Sequence, residues 1–362
     1  MKTFLFLLVT ILIFNSNISF SQYSSPESIT YDTTGKRYFI SNTSSSKIVQ
    51  RDRQGNVTDF VTVGGSIHGV TVYNGKVFVC NGTRVRGYDL NTAAEVFNVQ
   101  ISGSAFLNDL AIDNSGMMYV SDFNGRRIYK VNTANNDYWI YVPATTNQPN
   151  GLYVDAPRNR LLVCCWGASA PVKAVNFADS SIANIITTPY SNCDGISLDR
   201  NDNVYISTWG IQSVVRYDIN FVNPAVVVAS SLSNPADIYV NKKTDTLAVP
   251  NAGNSTVAFF LLDIPSGINQ ISSIAGSFEL LQNYPNPFNP STNMEFGISE
   301  SGFVSLKIYD LLGKEVATLV NEELNKGTYK YSFNASNLSS GIYFYELSVN
   351  GFTEVKRMTL LK

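Results

Sequence analysis

Apolar positions in this chain fall into short runs separated by polar turns, and the runs repeat. Each unit opens with a polar residue, a small residue and an aliphatic: Glu27-Ser28-Ile29, His68-Gly69-Val70, Asn108-Asp109-Leu110, Asn150-Gly151-Leu152, Asp194-Gly195-Ile196 and Ala236-Asp237-Ile238. The aliphatic positions are spaced by 41, 40, 42, 44 and 42 residues. A second apolar run follows in every unit, as in Arg37-Tyr38-Phe39-Ile40, Met117-Met118-Tyr119-Val120 and Asn203-Val204-Tyr205-Ile206. A third follows in several, as in Lys47-Ile48-Val49-Gln50 and Ser213-Val214-Val215-Arg216. Turns such as Asp32-Thr33-Thr34-Gly35 and Asp113-Asn114-Ser115-Gly116 separate the first two runs, and these residue types accept tight hairpin geometry. Three or four strands every forty-odd residues is the pattern of propeller blades. One blade cannot bury both faces of its sheet, whereas six packed radially can. The period predicts an all-β chain with a six-bladed β-propeller over residues 22–265. The segment near Gln22 is a candidate fourth strand for the last blade.

The repeat then stops. Residues 266–278 are small and polar and read as a linker. Tyr284-Pro285-Asn286-Pro287-Phe288-Asn289-Pro290 holds three prolines and precludes helix. Val304-Ser305-Leu306-Lys307-Ile308-Tyr309 alternates with period two, and further short runs continue to the end. Residues 279–362 are therefore expected to form a small C-terminal β-sandwich.

At the other end, Lys2 precedes an apolar stretch at residues 4–14, and Ser19-Phe20-Ser21 offers a small-x-small cleavage site before Gln22. The stretch is too short to span a bilayer, so residues 1–21 read as a secretory signal peptide. The mature chain contains no other stretch expected to cross a membrane.

Composition narrows the functional classes. Apolar residues are 44% of the 362, enough for sizeable cores, while charged residues are only 15%, against about 25% in an average domain. Net charge is −2, without a Lys/Arg block, which argues against a nucleic-acid partner. The four cysteines, Cys80, Cys164, Cys165 and Cys193, lack CxxC spacing, and no zinc or redox site is expected.

Candidate chemistry comes from the repeat itself. Innermost propeller strands run along the central channel, so one register gives one ring: Glu27, His68, Asn108, Asn150, Asp194 and Ala236. Four of these carry oxygen donors, two of them carboxylates, which suits a hard divalent cation. His68 is the single histidine of the chain. Phe106, Cys193 and Trp209 fall near the ring in sequence. Asn-Gly and Asp-Gly are also common turn pairs, so the same residues admit a purely structural reading.

Two resemblances sharpen these expectations. Residues 284–289, Ile308-Tyr309-Asp310-Leu311-Leu312-Gly313, Ser340-Gly341-Ile342-Tyr343-Phe344 and the basic end from Lys356 resemble the C-terminal sorting domain of type IX secretion cargo. That resemblance implies recognition by the type IX machinery, export across the outer membrane, and release or attachment at the cell surface. Glu27, Asn108-Asp109, Pro149-Asn150-Gly151-Leu152 and Cys193-Asp194-Gly195-Ile196 resemble the gluconolactonase and regucalcin family, with NHL-repeat propellers and paraoxonases more distant. That resemblance implies a divalent metal, calcium first among candidates, on Glu27, Asn108, Asn150 and Asp194. Sugar-acid lactonases of the family carry an arginine two residues before the third-blade asparagine, where this chain has Phe106.

Two functional readings follow. One is a metal-dependent hydrolase of lactones or esters, with Asp194 or His68 as general base and Phe106 in a less polar substrate pocket. The other is a non-catalytic surface propeller that binds a protein, peptide or glycan.

Overall fold

Aspartates at hairpin ends explain where the strands turn. Asp32 Oδ1 accepts from the backbone N–H of Thr34 and Gly35, Asp113 Oδ1 from Ser115 and Met117, and Asp199 Oδ1 from Asn201 and Asn203. Each side chain thus satisfies turn amides that no strand would pair.

The structure, a computed structural model, describes residues 22–262, 268–335 and 338–361; the expected signal peptide at 1–21 lies outside these residues. Contacts divide the chain into two units after Leu262. Among the described residues the first unit is an array of antiparallel sheets in chain order, with the meander topology of a β-propeller. Their innermost strands are Pro26–Asp32, Ile67–Tyr73, Leu107–Ile112, Gln148–Asp155, Cys193–Leu198 and Tyr239–Asn241. The first five sheets have four strands and the last has three.

Each innermost strand packs beside the next, and Tyr239–Asn241 packs beside Pro26–Asp32, so the array closes on itself. Asp237 N–H donates to Glu27 O at 2.9 Å across that closure. Apolar cores lie between the sheets. Phe39 and Ile48 of the first sheet pack with Val70 and Val79 of the second, and Ile29, Tyr38 and Ile40 of the first pack with Ala248 of the last. Adjacent Cys164 and Cys165 point into two different inter-sheet cores, as strand alternation requires. Each fully buried aliphatic contributes about 1.5–3 kcal/mol.

The N-terminal segment does not supply a fourth strand to the last sheet. The carbonyls of Ser24 and Ser25 accept from Ser44 and Thr43 of the first sheet, which already occupies their backbone. Ser25 instead stitches the closure, donating through its N–H to Ser255 Oγ and through its hydroxyl to Ala252 O.

The second unit holds two four-stranded antiparallel sheets that share one core, including Met294, Phe296, Leu306, Ile308, Tyr345 and Leu347. The segment expected as a linker at 266–278 is not all connection. Ile268–Ser272 is a strand of this unit, pairing with Gly327–Asn334, and Glu279–Leu280 is an edge strand against Ser291–Ile298. Backbone pairing with a distant strand gives Ile268–Ser272 its extended form, which its own composition does not announce.

Candidate metal centre at the channel mouth

The repeated polar–small pairs are not turns. They sit inside the innermost strands, where the ladder slips. The register shifts between Pro26 and Ser28, Ile67 and Val70, Pro149 and Leu152, and Cys193 and Ile196; in the third sheet Val120 pairs Leu110 while Asp122 pairs Leu107. A bulge re-aims the residues it skips. The skipped residues include Glu27, His68, Asn108, Asn150 and Asp194.

These five residues line one cavity of about 230 Å³, together with Phe106, Phe123, Trp166 and Trp209. The structure therefore brings Glu27, His68, Phe106, Asn108, Asn150, Asp194 and Trp209 to one cavity, whereas Cys193 packs in an inter-sheet core. Ala236, the sixth ring position, is fully buried and is not in the lining.

The polar half of the cavity is a set of oxygen donors. Asn108 Nδ2 donates to Asn150 Oδ1, and Asn150 Nδ2 donates to Cys193 O at 3.4 Å. A carbonyl oxygen has two lone pairs, so both amide oxygens keep acceptor capacity. Glu27 retains some exposed surface, yet its carboxyl is desolvated and, with the nearby Asp109 carboxylate, is pushed up to about 7. Asp194 is raised well above the usual carboxylate range by burial and by the charges of Glu27 and Asp109; the Trp209 indole and the Asn150 amide pull the other way. The Trp209 Nε1 nonetheless meets no partner at full hydrogen-bond geometry. Among the described residues no three His, Cys, Asp or Glu side chains form a metal-binding group. The ring is a different donor set, two carboxylates and two amides. Its buried, mutually repelling carboxylates without a neighbouring cation fit a divalent ion.

His68 is buried, its Nδ1 has no hydrogen-bond partner, and burial lowers its pKa to about 4, so the imidazole is uncharged at neutral pH. It stands edge-on to Phe106 at 4.6 Å between centroids. Asp122 fixes Phe106 by accepting from its N–H at 2.9 Å.

Two further carboxylates lie one residue beyond the ring, in the register that reads as small. Asp109 is raised to about 7 by burial, although Leu152 N–H donates to it at 2.7 Å. Asp237 is raised by burial and the Asp109 charge, against a 2.6 Å hydrogen bond from Ser28. The close approach of the strands that carry them explains the neighbouring glycines. A Cβ on Gly69 would stand 2.6 Å from Asp109 Cα, and one on Gly195 would stand 2.6 Å from Asp237 Cα. Both carboxylates border a second cavity of about 470 Å³, lined by the repeated aliphatics Ile29, Val70, Leu110, Leu152, Ile196 and Ile238.

The register also accounts for two cysteines. Ser41 and Ser121 hydroxyls accept from the bulged Ser28 and Asp109 N–H, and Ser207 accepts from Gly195 N–H while donating to Ala236 O. Cys80 and Cys164 occupy the same position in the second and fourth sheets. All four cysteines are free and buried, with thiols raised by desolvation, which makes them poor nucleophiles.

Phe123 and Trp166 escape the ring reading because they belong to a different register, at the end of the second strand of each sheet or just past it. The matching positions are Thr43, Gly82, Phe123, Trp166, Trp209 and Ala252. Aligning the ends of the second strands would have exposed them.

Comparison with known proteins bears on each unit separately. Residues 282–360 match the family model described as the secretion system C-terminal sorting domain. This domain marks the chain for type IX secretion to the cell surface or the extracellular space. Among solved structures, a gluconolactonase from Xanthomonas campestris is similar at 14% identity, with a TM-score of 0.58, covering 67% of this chain and 87% of that one. A luciferin-regenerating enzyme is similar at 13% identity and a TM-score of 0.53, covering 64% and 84%. A chain of the nidogen/laminin complex is similar at 12% identity and 0.51, covering 60% and 91%. At such identities the likeness shows the propeller fold alone. No curated protein sequence matches the chain.

Proposed function

We propose that this chain is an exported hydrolase of small, uncharged lactones or esters. In this reading the sheets of the first unit are the blades of a six-bladed propeller, and the C-terminal sheets form a sandwich that serves export. Glu27, Asn108, Asn150 and Asp194 hold a divalent cation, calcium first among candidates. The likeness to a gluconolactonase supports the scaffold, and the lining of the mouth supports the chemistry.

The observation that carries the reading is the charge balance of the mouth. Its nine lining residues include two carboxylates, two amides and an uncharged imidazole, with no lysine or arginine. Buried carboxylates are ordinarily paired or metal-bound. A divalent ion bound there supplies Lewis-acid polarisation of a carbonyl. The chain's own residues supply the rest. Glu27 and Asp194 provide two negative charges, and the Asn108 and Asn150 amides provide neutral oxygens. His68, uncharged and with Nδ1 unpartnered, is placed to take a proton from water, and Asp194 does so only while ionised. The aromatic side of the cavity limits competing water.

The test is hydrolysis of simple lactones and aryl esters by the full chain, with calcium and with chelator. Activity should require the metal, vanish in Asp194→Ala and Glu27→Gln, and fall roughly 100-fold in His68→Phe. Metal binding without turnover of any of these compounds would leave a binding protein and discard the hydrolase.

A further inference from the structure

The ring accounts for the polar half of the mouth; the wall beside it needs its own account. Phe106, Phe123, Trp166 and Trp209 form a continuous edge-to-face series, with successive centroids 6.1, 6.0 and 5.1 Å apart. All four are half-buried, and none belongs to an apolar core cluster. They come from the third, fourth and fifth sheets only. On the first, second and last sheets the position past the second strand holds Thr43, Gly82 and Ala252. The mouth is thus lopsided, aromatic on one side and small-residued on the other.

We propose that this wall receives one planar apolar ring of a small uncharged ligand, whose carbonyl then faces Glu27, Asn108, Asn150 and Asp194. The proposal rests on the reading of the same mouth above and narrows its substrate class to ring-bearing esters or lactones. Three observations support it. The first is size: a cavity of about 150 Å³ accepts benzene, so the roughly 230 Å³ of the mouth seats one ring and a few further atoms of a ligand. The second is charge: the two carboxylates at most balance a divalent ion, and no lysine or arginine lines the mouth to pair with an anion such as a sugar acid. The third is hydrogen bonding. The four wall side chains offer only indole N–H donors and no acceptor, so the O–H donors of a sugar laid there find no partner on the wall. The buried His68 Nδ1, which has no hydrogen-bond partner, is left for one polar atom of the ligand.

Calorimetry on the full calcium-loaded chain tests this with probes that cannot be hydrolysed: 2-indanone, which joins a ring to a carbonyl; cyclopentanone, the same carbonyl without the ring; and glucose. 2-Indanone should bind at least tenfold tighter than cyclopentanone, and glucose should not bind. Trp166→Leu and Phe123→Leu should each weaken 2-indanone at least tenfold and leave cyclopentanone within twofold, while Trp166→Phe keeps most of the affinity. Tryptophan emission gives a second readout after Trp139→Phe, because Trp139, the third tryptophan, lies on the outer strand Tyr138–Val142 away from the mouth. Equal affinity for the two ketones, wall variants that bind as wild type, or tighter binding of glucose would each overturn the proposal, even if lactones are hydrolysed. Saturable, wall-dependent 2-indanone binding by a chain that hydrolyses nothing would uphold the wall and discard the hydrolase.

Discussion

The Cys164 thiol donates to the carbonyl of Asp194 at 2.7 Å, fastening the fourth sheet to the backbone of a ring residue in the fifth. In the neighbouring pair the same task falls to Ser207, whose hydroxyl reaches Ala236 O at 2.7 Å while accepting from Gly195 N–H. Ring residues Asp194 and Ala236 are thus held by small polar side chains from the second strands of the fourth and fifth sheets, and their loss should be measurable.

Ser207→Val should strand a buried N–H and a buried carbonyl at about 1–3 kcal/mol each. Cys164→Ser, which keeps a donor in nearly the same place, should change stability by less than about 1 kcal/mol. Urea unfolding of both variants checks the contrast. Equal losses would show that the register is set by packing and not by these hydrogen bonds.

Cation binding to the ring predicts a thermal signature. A ligand that binds only the folded state adds about 2.7 kcal/mol at a hundredfold excess over its Kd. The wild type should melt higher with calcium than with chelator, Asp194→Ala should not respond, and Asn150→Ala should respond weakly. Identical melting of the wild type in both conditions would remove tight metal binding from the account.

How far the sequence reaches is clear from particular residues. Glu27, Asn108, Asn150 and Asp194 are legible as one register of the repeat, and they share one cavity because a bulge recurs at that place in the first five innermost strands. Asp109 and Asp237 hide in the position that is glycine in three of the six units, and only the approach of neighbouring strands reveals them as buried charges. The wall hides for another reason: Thr43, Gly82, Phe123, Trp166, Trp209 and Ala252 share a place but not a residue type. Ile268–Ser272 is extended through tertiary pairing, which no local pattern encodes.

The buried carboxylates give the cation-free protein a pH dependence. Glu27 and Asp109 rise from 4.5 and 3.8 to about 7, so the folded state favours their protonated forms. Their contribution is complete below the unfolded values and is lost as pH rises through about 7. His68 falls from 6.5 to about 4, so its contribution is present above pH 6.5 and is lost as pH drops towards 4, on the order of 3 kcal/mol. With chelator, Asp109→Asn should flatten the pH dependence of melting between about 3.8 and 7, and His68→Phe should flatten it below 6.5. Unchanged slopes in both variants would show that neither group titrates as its burial requires.

The sorting domain predicts a location experiment. A chain ending at Leu262 should fold its propeller yet remain in the periplasm, because recognition by the type IX machinery lies in residues 282–360. Fractionation with antibody detection checks this, and surface display of the truncated chain would contradict it.

The bond from Asp237 N–H to Glu27 O has a consequence for the order of events. Glu27 stands on the first innermost strand, and Asp237 lies two residues before the last begins, so nearly the whole propeller chain must be drawn into a loop before they meet. Closing so long a loop is an entropic cost that local contacts cannot offset early in folding. A chain arriving at the periplasm unfolded, or folded only in part, therefore has no complete mouth. On the proposed reading, a cation held by Glu27 together with Asp194 would serve as a latch that records completed assembly.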